Sequence, residues 1–561
     1  MKLETFFEHF DLLAEAPSCV QKLRELILDL AVRGKLVPQD ANDEPAAVLL
    51  ERIKKEKERL VKEGKVRKEK SLEPPIKDNE IPYDLPKGWE WVKLDWICNQ
   101  ITDGTHHTPT YISNGVPFLS VKDISSGRFD LTNTKFISHG EHQQLIKRCY
   151  PEFNDVLLTK VGTTGIAKVI DIDIEFSIFV SVALLKISKY LLSPYYIELV
   201  INSPLVKEQS KNNTQGVGNK NLVLRCIKSF DLPLPPLAEQ KRIVTKVDEL
   251  MKLCDELEAR QKKKQETRIL INNAALNKLL TADTPETFTK NWQRIGDNFD
   301  ILYSAPENIG KLRQAILQLA VMGKLVPQDA NDEPAAVLLE RIKKEKERLI
   351  KEGKIKKEKS LPEIKDNDIP FELPQGWEWV RFCDIATIAS NLVKPELYLD
   401  LPHIAPDNIE KQTGKLLPYR TVKEDNVSSA KHKFFSGQLL YSKIRPNLAK
   451  VTIIQFDGVC SADMYPINSY IHSKYLVIYM LSRTFLNMAI KNDTRVAMPK
   501  INQEELNKIL VSLPSFEEQK RIVTKVDKLM KLCDELETKL TQTQTESEKI
   551  INAAVKQLLT V

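Results

Sequence analysis

Apolar residues recur alternately four and three apart in two long stretches of this chain. In the first they fall at Ile243, Val247, Leu250, Cys254 and Leu257, and in the second at Ile522, Val526, Leu529, Cys533, Leu536 and Leu540. That alternation is the seam of a coiled coil. The register extends to Ile271, Ala275 and Leu279 and to Ile550, Ala554 and Leu558, although Gln261, Lys264, Thr543 and Ser547 weaken its middle. Two helices of about 40 residues, each about 60 Å long, are predicted, packed on one another; the plainer alternative is a pair of ordinary amphipathic core helices. Ile243, Val247, Leu250, Leu257, Ile522, Val526, Leu529 and Leu536 are the predicted seam and partner-binding positions.

A shorter amphipathic pattern, Leu23, Ile27 and Leu30, ends near Gly34 and recurs as Leu312, Ile316 and Leu319 before Gly323. A glycine just past the last periodic residue is a helix stop. The segment EPAAVLLERIKKEKERL follows each time, with proline near its first position as helix starts favour. Trp89, Trp91, Trp377 and Trp379 then open regions of another texture and read as core anchors. In those regions short β-branched and aromatic runs, such as GVPFLSVKDI, DVLLTKVGTTG, FSIFVSVALLKI and QLLYSKIRPNLAKVTIIQF, are broken by Gly, Asn and Pro. They predict the strands of two α/β domains with long loops.

The repetition is literal. GKLVPQDANDEPAAVLLERIKKEKERL occupies residues 34–60 and again 323–349, IKDNEIPYDLPKGWEWVKL from Ile76 matches IKDNDIPFELPQGWEWVRF from Ile364, and EQKRIVTKVDELMKLCDELE from Glu239 recurs from Glu518 with one change. The offset is 289 for the first block and 279 for the last, too long for a solenoid period, so the chain is a tandem duplication of a large unit. The segments between the matching blocks, roughly 95–235 and 383–510, scarcely resemble each other. A frame that stayed the same around inserts that diverged predicts one partner met twice and two different things read.

At 561 residues the chain exceeds one hydrophobic core. Its N-terminus has no apolar run suited to a secretion signal and no stretch approaches a membrane span, which predicts a cytoplasmic protein without membrane contact. Eight single cysteines, with no CxxC pair, read as reduced and structural. The net charge of +6 is a weak hint of a polyanionic partner. Its placement is more telling: residues 54–70 carry nine Lys or Arg against four Glu, and residues 343–359 repeat that count. Such runs are either solvated helix faces laced with i,i+4 pairs or surfaces for phosphate or an acidic partner.

Recognition commonly sits on loops of a rigid scaffold. In the first insert ITDGTHHTPTY, TKVGTTGIAK and NNTQGVGNKN combine small residues with side chains that donate to phosphates or read base edges. The candidates there are Thr105, His106, His107, Thr108, Lys122, Lys160, Thr163, Thr164, Lys168, Asn213, Gln215, Asn219 and Lys220. In the second insert AKHKFFSG, SKIRPNLAK and NDTRVAMPK supply Lys431, Lys433, Lys443, Arg445, Asn447, Lys450, Arg495 and Lys500. Ordinary polar surface is the competing reading of each loop. Phosphate-binding P-loop, methyltransferase tetrapeptide, HExxH and nuclease-core motifs are missing from the sequence. His106 and His107 would point to opposite faces of a strand, and no acidic cluster is evident beside them. No catalytic and no metal-binding residue is assigned.

The order of insert, PLPPLAEQKRIVTKVDELM helix, insert and SFEEQKRIVTKVDKLM helix resembles the DNA specificity (S) subunit of type I restriction-modification systems, and the LAVRGKLVPQ block with GWEWVKL resembles its larger members. The resemblance covers essentially the whole chain. It implies an α+β fold in which two α/β target recognition domains are separated by two long helices packed as an antiparallel coiled coil, with an internal pseudo-two-fold duplication. The implied organisation is an N-terminal helical frame (1–80), a first recognition domain (81–235), a central long helix (236–283), a second frame (284–368), a second recognition domain (369–513) and a C-terminal long helix (514–561). By the same resemblance the chain binds double-stranded DNA, is flanked by two methyltransferase subunits, and can be joined by two restriction subunits. It would bind no cofactor itself, S-adenosylmethionine, ATP and Mg2+ belonging to those partners. An enzyme in its own right and a scaffold without nucleic acid are the competing classes.

Overall fold

The computed structural model describes residues 18–66, 81–216, 220–357, 361–490 and 499–560, with side chains to residue 557. The chain divides into two compact units, Met1–Lys263 with Gln544–Val561, and Lys264–Thr543.

In the first unit helix α1 (Cys19–Val32) stops at Gly34, whose φ of +66° suits glycine. A Cβ there would also come within 2.4 Å of the Pro86 ring, so both backbone and space demand the missing side chain. Helix α2 (Ala46–Lys62) buries Ala46, Leu49 and Ile53 along one stripe and leaves its charges outside. Arg59 is clasped by Glu56 at 2.7 Å and Glu63 at 2.5 Å, so this cation of the basic run is paired on its own helix, while Lys57 donates to the Asp95 and Trp96 carbonyls. Strand β1 (Glu90–Lys93) then pairs antiparallel with the last strand of the insert, β9 (Asp231–Leu234), aligning Trp91 with Pro233. The insert therefore enters and leaves the frame through one two-stranded clip.

Between those strands lie two sheets. Strands β2 (Cys98–Asp103), β5 (Val156–Thr159), β6 (Ala167–Val169) and β8 (Val182–Ile187) form an antiparallel sheet in the order β2-β8-β5-β6. Strands β3 (Val116–Leu119), β4 (Lys135–Ile137) and β7 (Ser177–Ile178) form a second, with β3 and β7 parallel. All four residues of β5 are buried, as its unbroken apolar run requires. Helix α3 (Pro194–Asn202) covers this sheet, and Tyr196 donates from its hydroxyl to the Pro233 carbonyl.

The second unit repeats the plan with its own side chains. Helix α5 (Pro306–Val321), preceded by two shorter helices (Pro285–Asp297 and Phe299–Leu302), stops at Gly323, where a Cβ would meet the Pro374 ring at 2.4 Å. Helix α6 (Ala335–Lys351) pairs Arg348 with Glu345 and Glu352, each at 2.6 Å. Strand β10 (Glu378–Arg381) pairs with β20 (Leu510–Leu513), and Tyr475 of helix α7 (Ser473–Leu481) donates to the Ser512 carbonyl. The sheet β11-β19-β16-β17 (Ala386–Ile388, Met464–Ser469, Leu439–Ser442, Val451–Ile453) matches β2-β8-β5-β6 strand for strand. The other sheet, β12-β15-β18-β13-β14 (Leu392–Val393, Lys431–Phe434, Gly458–Cys460, Pro402–Ile404, Arg420–Thr421), contains the same parallel pair and extends it by two strands. Two inserts with scarcely related sequences thus share one topology, because alternating burial and strand pairing constrain side-chain class and leave identity open.

The long helices are single elements, α4 (Leu237–Leu280) and α8 (Phe516–Thr560). Each gives one part to each unit, in opposite order along the chain, which is the antiparallel arrangement. Ile243 and Val247 are spent on the first insert's core, with Trp89, Tyr196 and Leu234, while Leu250 and Leu257 are half-buried. Ile522 and Val526 do the same for the second insert, and Leu529, Leu536 and Leu540 share a cluster with Leu276 and Leu279.

The heptad register slips at one position in each helix, while Leu279 and Ala554, also predicted inside, are buried and Ala275 packs against the core. Ile271 and Ile550, predicted inside, are 54% and 46% exposed, and the buried residues are their successors Asn272 and Ile551. A straight α-helix drifts about 20° per heptad, so the four heptads after Ile243 or Ile522 lose about 80°, nearly one residue's rotation. The buried face there takes in the next position, Asn272 or Ile551, beside the register positions Leu279 and Ala554. All eight cysteines are free, seven of them buried. Among the described residues no helix is long and apolar enough to cross a membrane.

Candidate nucleic-acid interface

In the first insert three loops distant in sequence meet at one end of the β2-β8-β5-β6 sheet. Lys160 directly follows β5; its backbone N–H donates to the Ser181 carbonyl and its own carbonyl accepts from Leu222. Gly162 donates to the Lys220 carbonyl, and Asn221 exchanges backbone hydrogen bonds with Gln215. Thr164 and Thr214 hydroxyls lie 3.3 Å apart. The β2 end is drawn in by a bridge between Thr105 and Phe179. That approach needs Gly104: a Cβ there would fall 1.9 Å from the Ile178 carbonyl oxygen.

A buried carboxylate organises this end. Asp103 accepts from Lys160 Nζ at 2.8 Å, from Arg148 at 2.9 Å and stands 3.2 Å from His106 Nε2. Its side chain is 3% exposed and that of Lys160 7%, whereas Arg148 and His106 are 56% and 60% exposed. Lys160 is therefore an internal strut, and Arg148 carries the positive charge to the surface, with the His106 imidazole beside it. Both histidines sit in a bend after β2, not in a strand, and an acid does accompany them; His107 turns to Thr105 at 3.0 Å.

Thr108, Lys122, Thr163, Asn213, Gln215 and Lys220 are exposed around this cluster, Thr164 is half-buried, and Thr105 is buried. Lys168 is elsewhere, on β6, held by Asp171 at 2.7 Å and near Glu198 at 3.9 Å. Asn219 lies outside the described residues. Asp103 and Arg148 escaped the sequence reading; the acid stood in view within TDGTHH, but its burial did not.

The second insert builds the same corner differently. Lys443 follows β16 as Lys160 follows β5, donating from its backbone to the Asp463 carbonyl and accepting from Ile501. Its ammonium lies over the Tyr465 ring at 5.4 Å and 4.0 Å from Asp463, which also receives Lys500 at 3.4 Å. Arg445 and Ala449 adopt left-handed φ values of 49° and 47° at the two ends of the turn PNL, which leaves Arg445 and Asn447 exposed. Arg445 is anchored by its backbone to the Pro499 carbonyl at 2.7 Å.

Lys433 lies over the rings of Tyr398 and Phe435, at 4.9 and 5.1 Å, with Phe435 46% exposed. Lys450 is tied to the Pro406 carbonyl and to Asp407. Lys431 is buried on Ser429, and burial pulls its ammonium pKa below the ordinary lysine range. Burial also lowers the neighbouring His432, with the Lys443 charge adding to it. Arg495 lies outside the described residues. Each insert thus presents a corner of cations and amides on a rigid sheet end, suited to phosphate and base-edge contacts.

The type I restriction modification DNA specificity domain matches residues 86–267 and again 374–544. The specificity subunit of the EcoAI type I restriction enzyme of Escherichia coli is 34% identical over 552 residues, 92% of this chain and 90% of its own. That of EcoEI, also from Escherichia coli, is 34% identical over 94% of this chain and 91% of its own. A chain solved in work on complex assembly and conformational transition of the type I R-M system shares the fold, with a TM-score of 0.50 and 16% identity, covering 85% of this chain and 99% of that one. Matched twice by the domain and along nearly its whole length by these relatives, this chain belongs to the DNA specificity subunits of type I restriction-modification systems.

Proposed function

We propose that each insert reads one half of a bipartite, asymmetric DNA target, and that the repeated frame docks two identical methyltransferase subunits, which admit restriction subunits in turn. The chain does no chemistry itself; S-adenosylmethionine, ATP and Mg2+ are bound by those partners. The observation that supports this reading is a frame repeated to the hydrogen bond around inserts that differ. Trp89 and Gln39 donate to Glu239 at 2.9 and 3.1 Å, as Trp377 and Gln328 do to Glu518 at 2.8 Å each. Arg242 clasps Asp43 and Arg521 clasps Asp332, both at 2.6 Å. Two equal surfaces suit two copies of one partner, while the two cationic corners carry unlike side chains for unlike half-sites.

Footprinting of the chain together with its methyltransferase tests this. A split protected sequence is expected, with affinity falling steeply as salt rises. Protection of no defined split sequence would refute the reading, as would methyl transfer by this polypeptide alone with S-adenosylmethionine.

A further inference from the structure

Arg148 is held at both ends. Its backbone N–H donates to the Leu145 carbonyl at 3.2 Å in the turn after the helix His139–Leu145, and the next residue, Cys149, is buried in the insert's core. At the far end of the side chain Nη2 donates to Asp103 Oδ1 at 2.9 Å. That carboxylate is itself fixed, because its other oxygen, Oδ2, accepts from the buried Lys160 ammonium at 2.8 Å. The series Lys160, Asp103, Arg148 thus leads from inside the sheet end to a guanidinium that is 56% exposed. It emerges where the three loops of the first insert meet, beside His106, whose Nε2 shares Oδ1 at 3.2 Å.

A guanidinium fixed in this way suits one kind of DNA contact better than another. A phosphate contact tolerates a mobile cation, since the backbone offers its charge at every nucleotide. Reading a base needs orientation, because two N–H groups must meet two acceptors on the edge of one base pair. The Asp103 carboxylate has already removed the rotamer freedom that such a contact would otherwise cost. It engages one of the five N–H donors of the guanidinium, and a bidentate contact uses two more. Guanine presents the matching pair of acceptors, O6 and N7, in the major groove. The second corner is built otherwise: Asp463, 42% exposed, stands 3.4 Å from Lys500 and 4.0 Å from Lys443, and an ammonium is a point charge without a planar fork.

We infer that Arg148 reads a guanine in the half-site met by the first insert, with Asp103 as its positioning residue. This rests on the reading that each insert recognises one half-site, and adds which side chain meets which base.

The test uses the full-length chain assembled with its methyltransferase, titrated with duplexes in which each base pair of the target is replaced in turn. Arg148→Lys keeps the charge and loses the fork. At one G·C pair of one half-site the original complex should discriminate by about 5- to 150-fold, the range of a bidentate arginine–guanine contact. R148K should lose most of that preference, while every other position and the whole of the other half-site discriminate as before. The folded Asp103→Leu, Lys160→Met pair should relax the same position, a base-specific change that lost stability alone does not produce; full discrimination there would overturn the role of Asp103. Equal discrimination by R148K and the original at every position would overturn the role of Arg148. So would loosening in both half-sites at once, or a uniform loss in R148A across all sequences with the salt slope reduced by about 1, the mark of a phosphate contact. An original complex that binds no split sequence sinks the reading of the inserts and this inference together, whereas a split target that R148K reads as faithfully as the original sinks the assignment of Arg148 alone.

Discussion

The indole of Trp89 donates to the Glu239 carboxylate at 2.9 Å across 150 residues of sequence, and both groups are buried. The bond ties the entrance of the first insert to the start of α4, so that recognition domain and long helix hold one orientation. Trp89→Phe keeps the ring and removes the donor, leaving a buried carboxylate with one partner fewer. A loss of about 1.5–3 kcal/mol is expected, and Trp377→Phe should match it through Glu518. Urea unfolding of the two variants measures both; a loss below about 0.5 kcal/mol would show that the bond is incidental to the frame.

The same carboxyls make a pH signature. Burial raises Glu239 and Glu518 above the usual carboxylate range, with the indole and glutamine donors opposing it. A raised folded pKa means that the folded state holds the proton more tightly. The associated stability is fully present below the unfolded value of about 4.3 and is lost as pH rises through the folded value. Gln at either position cannot titrate. The stability of the original chain relative to Glu239→Gln or Glu518→Gln should therefore decline between pH about 4 and 7, and a difference flat with pH would contradict the raised carboxyls.

Asp103 and Lys160 form a buried ion pair that sets Arg148 and His106 at the surface. Asp103→Ala strands the lysine charge, which should cost about 3–5 kcal/mol, whereas the paired Asp103→Leu, Lys160→Met replacement should cost far less because neither charge remains. If Asp103 also positions Arg148, the double variant will fold yet bind DNA more weakly. Unfolding and filter binding on the same preparations separate the two effects; unchanged DNA affinity of the folded double variant would confine Asp103 to stability.

Much of the frame was legible because its signals are local. Glycine after Leu30 or Leu319 stops a helix whatever packs nearby, and the four-three spacing after Ile243 or Ile522 requires a buried stripe. The slip from Ile271 to Asn272 was hidden, because whether a helix supercoils depends on its neighbours and not on its own spacing. The strand DVLLT was legible from its apolar run, yet its place between β6 and β8 was not, so the meeting of loops near residues 105, 162 and 215 could not be foreseen. Lys160 looked like a surface cation for the same reason. Its carboxylate partner is 57 residues away and is reached only through sheet order.

Charge removal at the two corners should separate contacting cations from paired ones. Arg445 is exposed on a left-handed turn, and Arg445→Ala should weaken binding across sequences and reduce the salt slope by about 1 if it meets a phosphate. Lys168 is bound to Asp171 on β6 away from the loop cluster, and Lys168→Ala should leave the slope unchanged. Titrations of DNA binding at several salt concentrations, with the methyltransferase present, give both slopes. Equal slopes for the two variants would mean that the second corner does not touch the backbone there.

The continuity of α4 from Leu237 to Leu280 permits a test of how the half-sites are spaced. Four residues inserted near Lys263, with a companion insertion near Thr543 in α8, add about 6 Å of rise. They also add about 400° of rotation, close to a full turn, so the buried stripes beyond the insertion keep nearly their original facing. Three residues would leave those stripes about 60° short and serve as the disruptive control. Since base pairs stack at about 3.4 Å, the preferred gap should grow by one or two base pairs while both half-site sequences stay as they were, because the corners built on Asp103 and Asp463 are untouched. Methylation mapping of a genome expressing the lengthened chain reads gap and half-sites together. A changed half-site sequence would mean that the helices take part in base choice, and an unchanged gap that they do not set the spacing.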